Sequence, residues 1–264
     1  MVRALARPER IFKAVLKRFK LGSFEFRLDF DAFPRPWYAY CLWHAAQMGH
    51  RLGLAKISGI EFGVAGGSGL LELENLAEEI ERILPIKIEL YGFDLGTGLP
   101  MHSDYRDVPY IWRRGAFKMD EAAVRRKLRR SALLIGNVRD TVPEFIAQHQ
   151  PAPIGFVSLD MDYYSSTRDA LNLFEGLDQF FLPRVFCYFD DVVGCDSQLH
   201  SEFAGELLAI REFNDAHAKL KLSTIYGFAS KRPLECVWAD TIYVLHRFEH
   251  ERYNTYIGAS EATG

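Results

Sequence analysis

The chain has 264 residues, of which 48% are apolar. That suffices for the core of one α/β domain with an added N-terminal segment. A net charge of −3 and the lack of a basic, aromatic-interleaved stretch give no footing for nucleic acid. No apolar run approaches the ~20 residues of a membrane span. The cysteines Cys41, Cys187, Cys195 and Cys236 form no C-x-x-C pair, as expected of reduced thiols in a cytoplasmic protein rather than of a zinc site or a disulfide framework.

The first twenty residues set Arg3, Arg7, Arg10, Lys13, Lys17, Arg18 and Lys20 against Glu9, with Ile11, Phe12, Val15, Leu16 and Phe19 at helical spacing. Such a basic amphipathic helix can lie on a membrane surface or act as a transit peptide. The commoner role is packing through one face on the domain or on a dimer partner, which leaves a homo-oligomer open. Residues 36–54 predict a helix ending near Gly53. A first strand follows over Ile57 to Phe62, a helix over Leu70 to Ile83, and a second strand over Ile86 to Phe93. Asp120 to Arg130 predicts a charged helix, Ala132 to Ile135 a third strand, and Val142 to Gln148 a short helix. Ile154 to Leu159 is the fourth strand, Thr167 to Phe181 its helix, Arg184 to Phe189 the fifth strand, and Glu202 to His217 another helix. Five alternations of strand and helix point to parallel strands with helices on both faces. Leu222 to Phe228 and Leu234 to Phe248 are extended runs joined by residues 229–233, with no room for a helix, so they are expected to pair antiparallel at one edge. A dinucleotide-binding sheet would end on a parallel strand instead.

Between the first strand and its helix stands Glu61-Phe62-Gly63-Val64-Ala65-Gly66-Gly67-Ser68-Gly69. Glycines in a strand-to-helix turn let a ligand approach the backbone. The spacing Glu-x-Gly-x-Ala-x-Gly differs from the dinucleotide G-x-G-x-x-G, and a carboxylate at Glu61 suits a cationic ligand end, such as an amino acid moiety, better than a pyrophosphate. Asp94 ends the second strand, where a carboxylate can accept both ribose hydroxyls of a nucleoside. Asn137, after the third strand, is placed for an adenine edge or for a turn. On the turn itself, Gly63, Ala65, Gly67 and Ser68 are the backbone and side-chain contacts expected for that ligand.

Asp160 and Asp162 follow the fourth strand, and Asp190 and Asp191 end the fifth. Neighbouring strand ends place all four on one rim, where ligands of open α/β sheets bind. Like charges this close require compensation, and an all-oxygen set without His or Cys favours magnesium, with calcium or manganese as alternatives. Asp160 and Asp162 are two apart, so one can bind metal while the other receives a proton.

In this order the motifs resemble the macrocin O-methyltransferase family of class I S-adenosylmethionine-dependent methyltransferases. The matching pieces are Glu61-Phe62-Gly63-Val64, Gly92-Phe93-Asp94, Gly98-Leu99-Pro100 and Gly136 with Asp140-Thr141-Val142-Pro143. They continue with Leu159-Asp160-x-Asp162, Tyr164, Ser166-Thr167, Asp169-Ala170-Leu171, Asp190-Asp191, and Ala209-Ile210 with Phe213. The resemblance implies a class I methyltransferase sheet of five parallel strands plus a C-terminal antiparallel hairpin, with S-adenosylmethionine as cofactor. It implies Mg²⁺ on Asp160, Asp190 and Asp191, Asp162 as general base, and a small-molecule hydroxyl acceptor such as a sugar diol or catechol. The implied organisation is an N-terminal helical segment or lid over 1–55, the methyltransferase domain over 56–250, and a tail over 251–264. Met161 stands where the family usually has glycine, Tyr163-Tyr164-Ser165 where it has Leu-Tyr-Glu, and Leu182-Pro183-Arg184 where it has paired glycines. Residues 101–119, with Trp112, Arg113 and Arg114, and the first sixty residues do not align, so the acceptor does not carry over. Two rival readings are a non-catalytic S-adenosylmethionine-binding protein and a glycosyltransferase using Asp160-x-Asp162; a nicotinamide dehydrogenase fits least.

Overall fold

The computed structural model describes residues 8–258. Arg3 and Arg7 of the basic N-terminal stretch, and residues 259–264 of the tail, lie outside that range. Seven strands form one sheet: β1 (Lys56–Phe62), β2 (Lys87–Asp94), β3 (Ala132–Ile135), β4 (Ile154–Leu159), β5 (Phe181–Phe189), β6 (Leu220–Thr224) and β7 (Ile242–Arg247). Their spatial order is β3-β2-β1-β4-β5-β7-β6. β1 to β5 are parallel to their neighbours, and β7 runs antiparallel between β5 and β6. This is the sheet expected from the sequence. Parallel order puts the carboxyl ends of β1, β2, β4 and β5 on one rim.

The strands alternate between two cores, as a pleated strand buried on both faces must. Ile57, Ile88, Leu90, Phe156, Leu182 and Phe186 face one side, where α3 (Pro36–Arg51) and α4 (Ser68–Ile83) pack. Ile60, Phe62, Phe93, Val157, Leu159, Val185 and Phe189 face the other. That side is covered by α6 (Val138–His149), α7 (Tyr164–Leu171) and α8 (Gly205–Ala216). Pro36 opens α3 where its missing N–H costs nothing. Tyr38, Leu42 and Trp43 of α3 lie fully in the core, so the N-terminal part of the chain supplies packing to the sheet as well as covering it.

The remaining helices are α1 (Pro8–Phe19), α2 (Phe24–Asp29) and α5 (Glu121–Lys127). On α1 Leu16 is buried and Phe12 meets the Phe30 ring edge-on at 5.3 Å, whereas Ile11, Val15 and Phe19 stay exposed, so the described residues cover its apolar face only in part. α2 escaped the sequence reading because its six residues are too few to show a period.

Several elements differ from expectation in their bounds. α6 starts at Val138, four residues early, because Asn137 caps it and Pro143 is tolerated inside. α7 ends at Leu171; 3-10 turns and Gly176 follow, and β5 begins at Phe181. The two tail strands are shorter than their apolar runs, and residues 225–241 connect them. Phe228 and Trp238 leave the sheet edge to pack against each other and against Tyr40 of α3. No described helix is long and apolar enough to cross a membrane.

Candidate active site

A cavity of about 440 Å³ opens at the carboxyl ends of the parallel strands. Gly63, Ala65, Asp94, Asn137, Asp160, Asp162 and Asp190 line it. Glu61, Gly67, Ser68 and Asp191 are not lining residues; the first three belong to the turn that lines the cavity at Gly63 and Ala65, and Asp191 follows Asp190 in sequence. The structure thus gathers the expected residues from both halves of the sheet around one space.

The turn after β1 is tight for two separate reasons. Gly63 has φ +87, and a Cβ there would lie 1.8 Å from the backbone oxygen of Asp160. Its role is therefore to let the end of β4 close against β1. Gly69, in the first turn of α4, would place a Cβ 1.8 Å from Oε1 of Glu61, so the helix start rests on that carboxylate.

Glu61 is 2% exposed. Tyr38 Oη donates to its Oε1 at 2.7 Å, and Ser158 Oγ donates to Tyr38 Oη at 2.9 Å. Oε2 has no hydrogen-bond partner. Burial pushes the Glu61 carboxyl up to about 7, against the opposing effects of the Tyr38 bond and Arg35. A buried acid with one bare oxygen fits a cationic ligand end.

Asp94 accepts the Ala65 N–H at 2.8 Å on Oδ2 and the Gly96 N–H at 2.6 Å on Oδ1. These bonds fix its plane toward the cavity, and each carboxylate oxygen keeps a second acceptor direction for a ribose hydroxyl. Asn137 lines the cavity, but its Oδ1 accepts the Arg139 N–H at 3.0 Å as an N-cap. The oxygen of its side chain thus serves the helix start.

On the other half of the rim, ligand oxygens of Asp160, Asp190 and Asp191 lie within 4.8 Å of one another. Burial, then Asp190 and Asp191, push Asp160 well above the usual carboxylate range. Burial, then Asp162 and Asp190, raise Asp191 to about 8. Three hard oxygen donors that repel one another at this separation fit a divalent cation of the magnesium type. Asp162 holds φ +61, a left-handed conformation that aspartate tolerates better than most residues, and its N–H donates to Asp191 Oδ2 at 3.0 Å. Burial, then Asp160 and Asp190, raise its carboxyl to about 7. It lines the cavity beside the trio.

Several supporting residues escaped the sequence reading. Glu206 of α8 is fully buried; its Oε2 accepts the Asp191 N–H at 3.0 Å and its Oε1 accepts from Thr167 Oγ1 at 3.2 Å. Tyr188 Oη donates to Asp190 Oδ1, and Trp37 stacks on the Tyr188 ring at 5.6 Å between centroids. Nothing in the spacing of these side chains signals the site, because each enters from an element defined by packing. The segment after β2 supplies the outer wall through Leu95, Leu99, Met101, Trp112 and Phe117.

No family model and no curated protein sequence matches this chain. Solved structures do resemble it. The calicheamicin methyltransferase CalS11 is 21% identical, covers 91% of this chain and 93% of its own, and superposes with a TM-score of 0.50. The O-methyltransferase NovP is 14% identical, covers 90% of this chain and 97% of its own, with a TM-score of 0.55. At these identities the likeness is one of fold, and the fold is that of the class I methyltransferases.

Proposed function

We propose that this chain is an S-adenosylmethionine-dependent O-methyltransferase acting on a hydroxyl of a small molecule, with Mg²⁺ held by Asp160, Asp190 and Asp191. The observation that carries this reading is convergence. An unpartnered acid oxygen at Glu61, at the start of the turn that reaches the cavity, a ribose-type acceptor at Asp94 on its wall and three mutually repelling carboxylates, two of them on that wall, meet at one rim of the sheet. The names of the two structures of like fold, a calicheamicin methyltransferase and an O-methyltransferase, support transfer of methyl to oxygen. The domain over 56–250 carries these groups, and of the N-terminal segment over 1–55 the described part, residues 8–55, is largely helical.

The cofactor supplies a methyl group on a sulfonium. A divalent cation supplies a Lewis acid for neighbouring acceptor oxygens. The protein's own work is placement and proton transfer. Glu61 and Asp94 hold the two ends of the cofactor. Asp162 takes the acceptor hydroxyl proton on its carboxylate. Glu206 and Tyr188 hold Asp191 and Asp190 in position. The walls from Leu95 to Phe117 exclude water and align the reactants.

The test is methyl transfer from labelled S-adenosylmethionine to a panel of vicinal diols and catechols, with and without Mg²⁺. Transfer that a chelator abolishes and that Asp160→Ala reduces at least a hundredfold is expected. Activity indifferent to both would remove the metal from the reading. S-adenosylhomocysteine binding without transfer to any acceptor would favour a binding protein.

A further inference from the structure

We infer that Arg35 is the anchor for the carboxylate of the cofactor's amino acid end, which makes the start of α3 part of the cofactor site; this rests on the S-adenosylmethionine reading above. Arg35 is the N-cap residue of α3, yet its side chain makes no capping bond. It turns instead toward the first turn of α4, where Nη2 donates to Ser68 Oγ at 3.1 Å. Its guanidinium carbon lies 5.1 Å from the centre of the Tyr38 ring, and Tyr38 in turn bonds Glu61. Arg35, Ser68 and Glu61 therefore gather around the start of one 16-residue helix.

Two observations single Arg35 out. It is partly buried among Tyr38, Glu61, Asp160 and Tyr188, which favour its charge against the cost of burial. Even so, no carboxylate among the described residues comes within ion-pair distance of it, and the bond to Ser68 is its one hydrogen bond. A guanidinium carries five N–H donors in a fork that matches a carboxylate. Most of that capacity is unspent here. The second observation is the bare Oε2 of Glu61, buried against the same helix start. An unpaired cation and an unpaired acid oxygen at one helix N-terminus complement an α-amino acid zwitterion. The ammonium goes to Glu61. The carboxylate goes to Arg35 and Ser68, where the helix dipole also favours an anion.

The charge of the cavity lining favours such a group. The cavity lining carries Asp94, Asp160, Asp162, Asp169 and Asp190 and no lysine, arginine or histidine. A ligand carboxylate entering beside these acids is repelled unless a cation receives it; Arg35 is not itself part of the lining, but it lies close enough to Asp160 of that lining for the aspartate to favour its charge.

Calorimetry on the full chain with two ligands tests this. One is S-adenosylhomocysteine. The other is its decarboxylated analogue, which keeps the nucleoside, thioether and ammonium. The wild type is expected to prefer the first by tenfold or more. Arg35→Met should erase that preference while binding the decarboxylated compound within about twofold of wild type, and Arg35→Lys should restore part of it. Ser68→Ala, which leaves the cation in place, should lower the preference by a smaller factor. Thermal melting of the unliganded variants checks folding. An Arg35→Met protein that keeps the full preference, or that loses both ligands equally, overturns the assignment; the second result makes Arg35 a counter-ion to Glu61 and Asp160. A wild type that binds neither compound refutes the cofactor reading itself.

Discussion

Glu74 on α4 and Asp191 after β5 are both buried acids, at 0% and 5% exposed, and the fold treats them in opposite ways. Glu74 accepts the N–H groups of Arg129, Arg130 and Ser131 at 2.9–3.1 Å, together with Ser131 Oγ. Burial pushes its carboxyl up, but these bonds outweigh burial and hold it below its ordinary value. Asp191 accepts one N–H, from Asp162, and faces Asp162 and Asp190, so it is driven up to about 8. The first acid is finished: its donors are built into the chain, and it ties the loop before β3 to α4. The second lacks such donors, which is what the proposed cation would offset. Burial alone does not separate a structural acid from a functional one. The supply of donors does.

If that distinction is right, damage at the two sites has different consequences. The largest effect is expected at Asp162. Asp162→Asn keeps a side chain that tolerates the left-handed backbone and keeps the N–H to Asp191, but it cannot accept the acceptor's proton. Its kcat should fall by about 10²–10⁴ while the melting temperature holds or rises. Steady-state kinetics with saturating Mg²⁺ measures this, and a variant within tenfold of wild type would dismiss Asp162 as the base. Glu74→Ala is the converse. It strands the buried N–H groups of the 129–131 segment, so stability should drop by about 4 kcal/mol in urea unfolding, with kcat of the folded fraction unchanged. A Glu74→Ala protein that is fully stable would break the comparison from the structural side.

How much of this could be read from the chain differs between the two sites. The placement of the rim acids was legible because they sit at the carboxyl ends of apolar strands, where the α/β architecture brings them to one rim. Gly63 and Asp94 were legible for the same reason, although the structure gives Gly63 a different duty, clearance for the backbone of Asp160. Glu74 was not legible, since in sequence it is one of several acids on a charged helix and only its contact with residues 129–131 sets it apart. Glu206, Tyr38 and Arg35 were hidden likewise: each reaches the site from a helix whose orientation depends on the packed sheet. The aromatic tail misled for the reverse reason. Phe228 and Trp238 have strand-like residue types but bury themselves on Tyr40, so packing overrode local propensity.

Glu61 lies between the two extremes, with Oε1 bonded to Tyr38 and Oε2 bare, and it sharpens the comparison into a pH experiment. Its carboxyl rises from an ordinary 4.5 to about 7 in the folded chain. Between these values the folded state holds a proton that the unfolded state has released. The stabilisation from this group is therefore complete below pH 4.5 and is lost as pH rises through 7. A shift of this size corresponds to about 3 kcal/mol between the two limits. Glu61→Gln removes the titration. The unliganded variant should match wild type within about 1 kcal/mol at pH 5 and exceed it by about 2–3 kcal/mol at pH 8, read as the difference between paired urea titrations. Taking the difference cancels Asp162 and Asp191, which titrate in both proteins. The same variant should bind S-adenosylhomocysteine at least tenfold more weakly, since a neutral amide cannot replace the acid opposite an ammonium. Higher stability together with weaker binding would mark Glu61 as an acid kept unfinished for a ligand; equal stability at pH 8 would mean that its donors are already sufficient, as they are at Glu74.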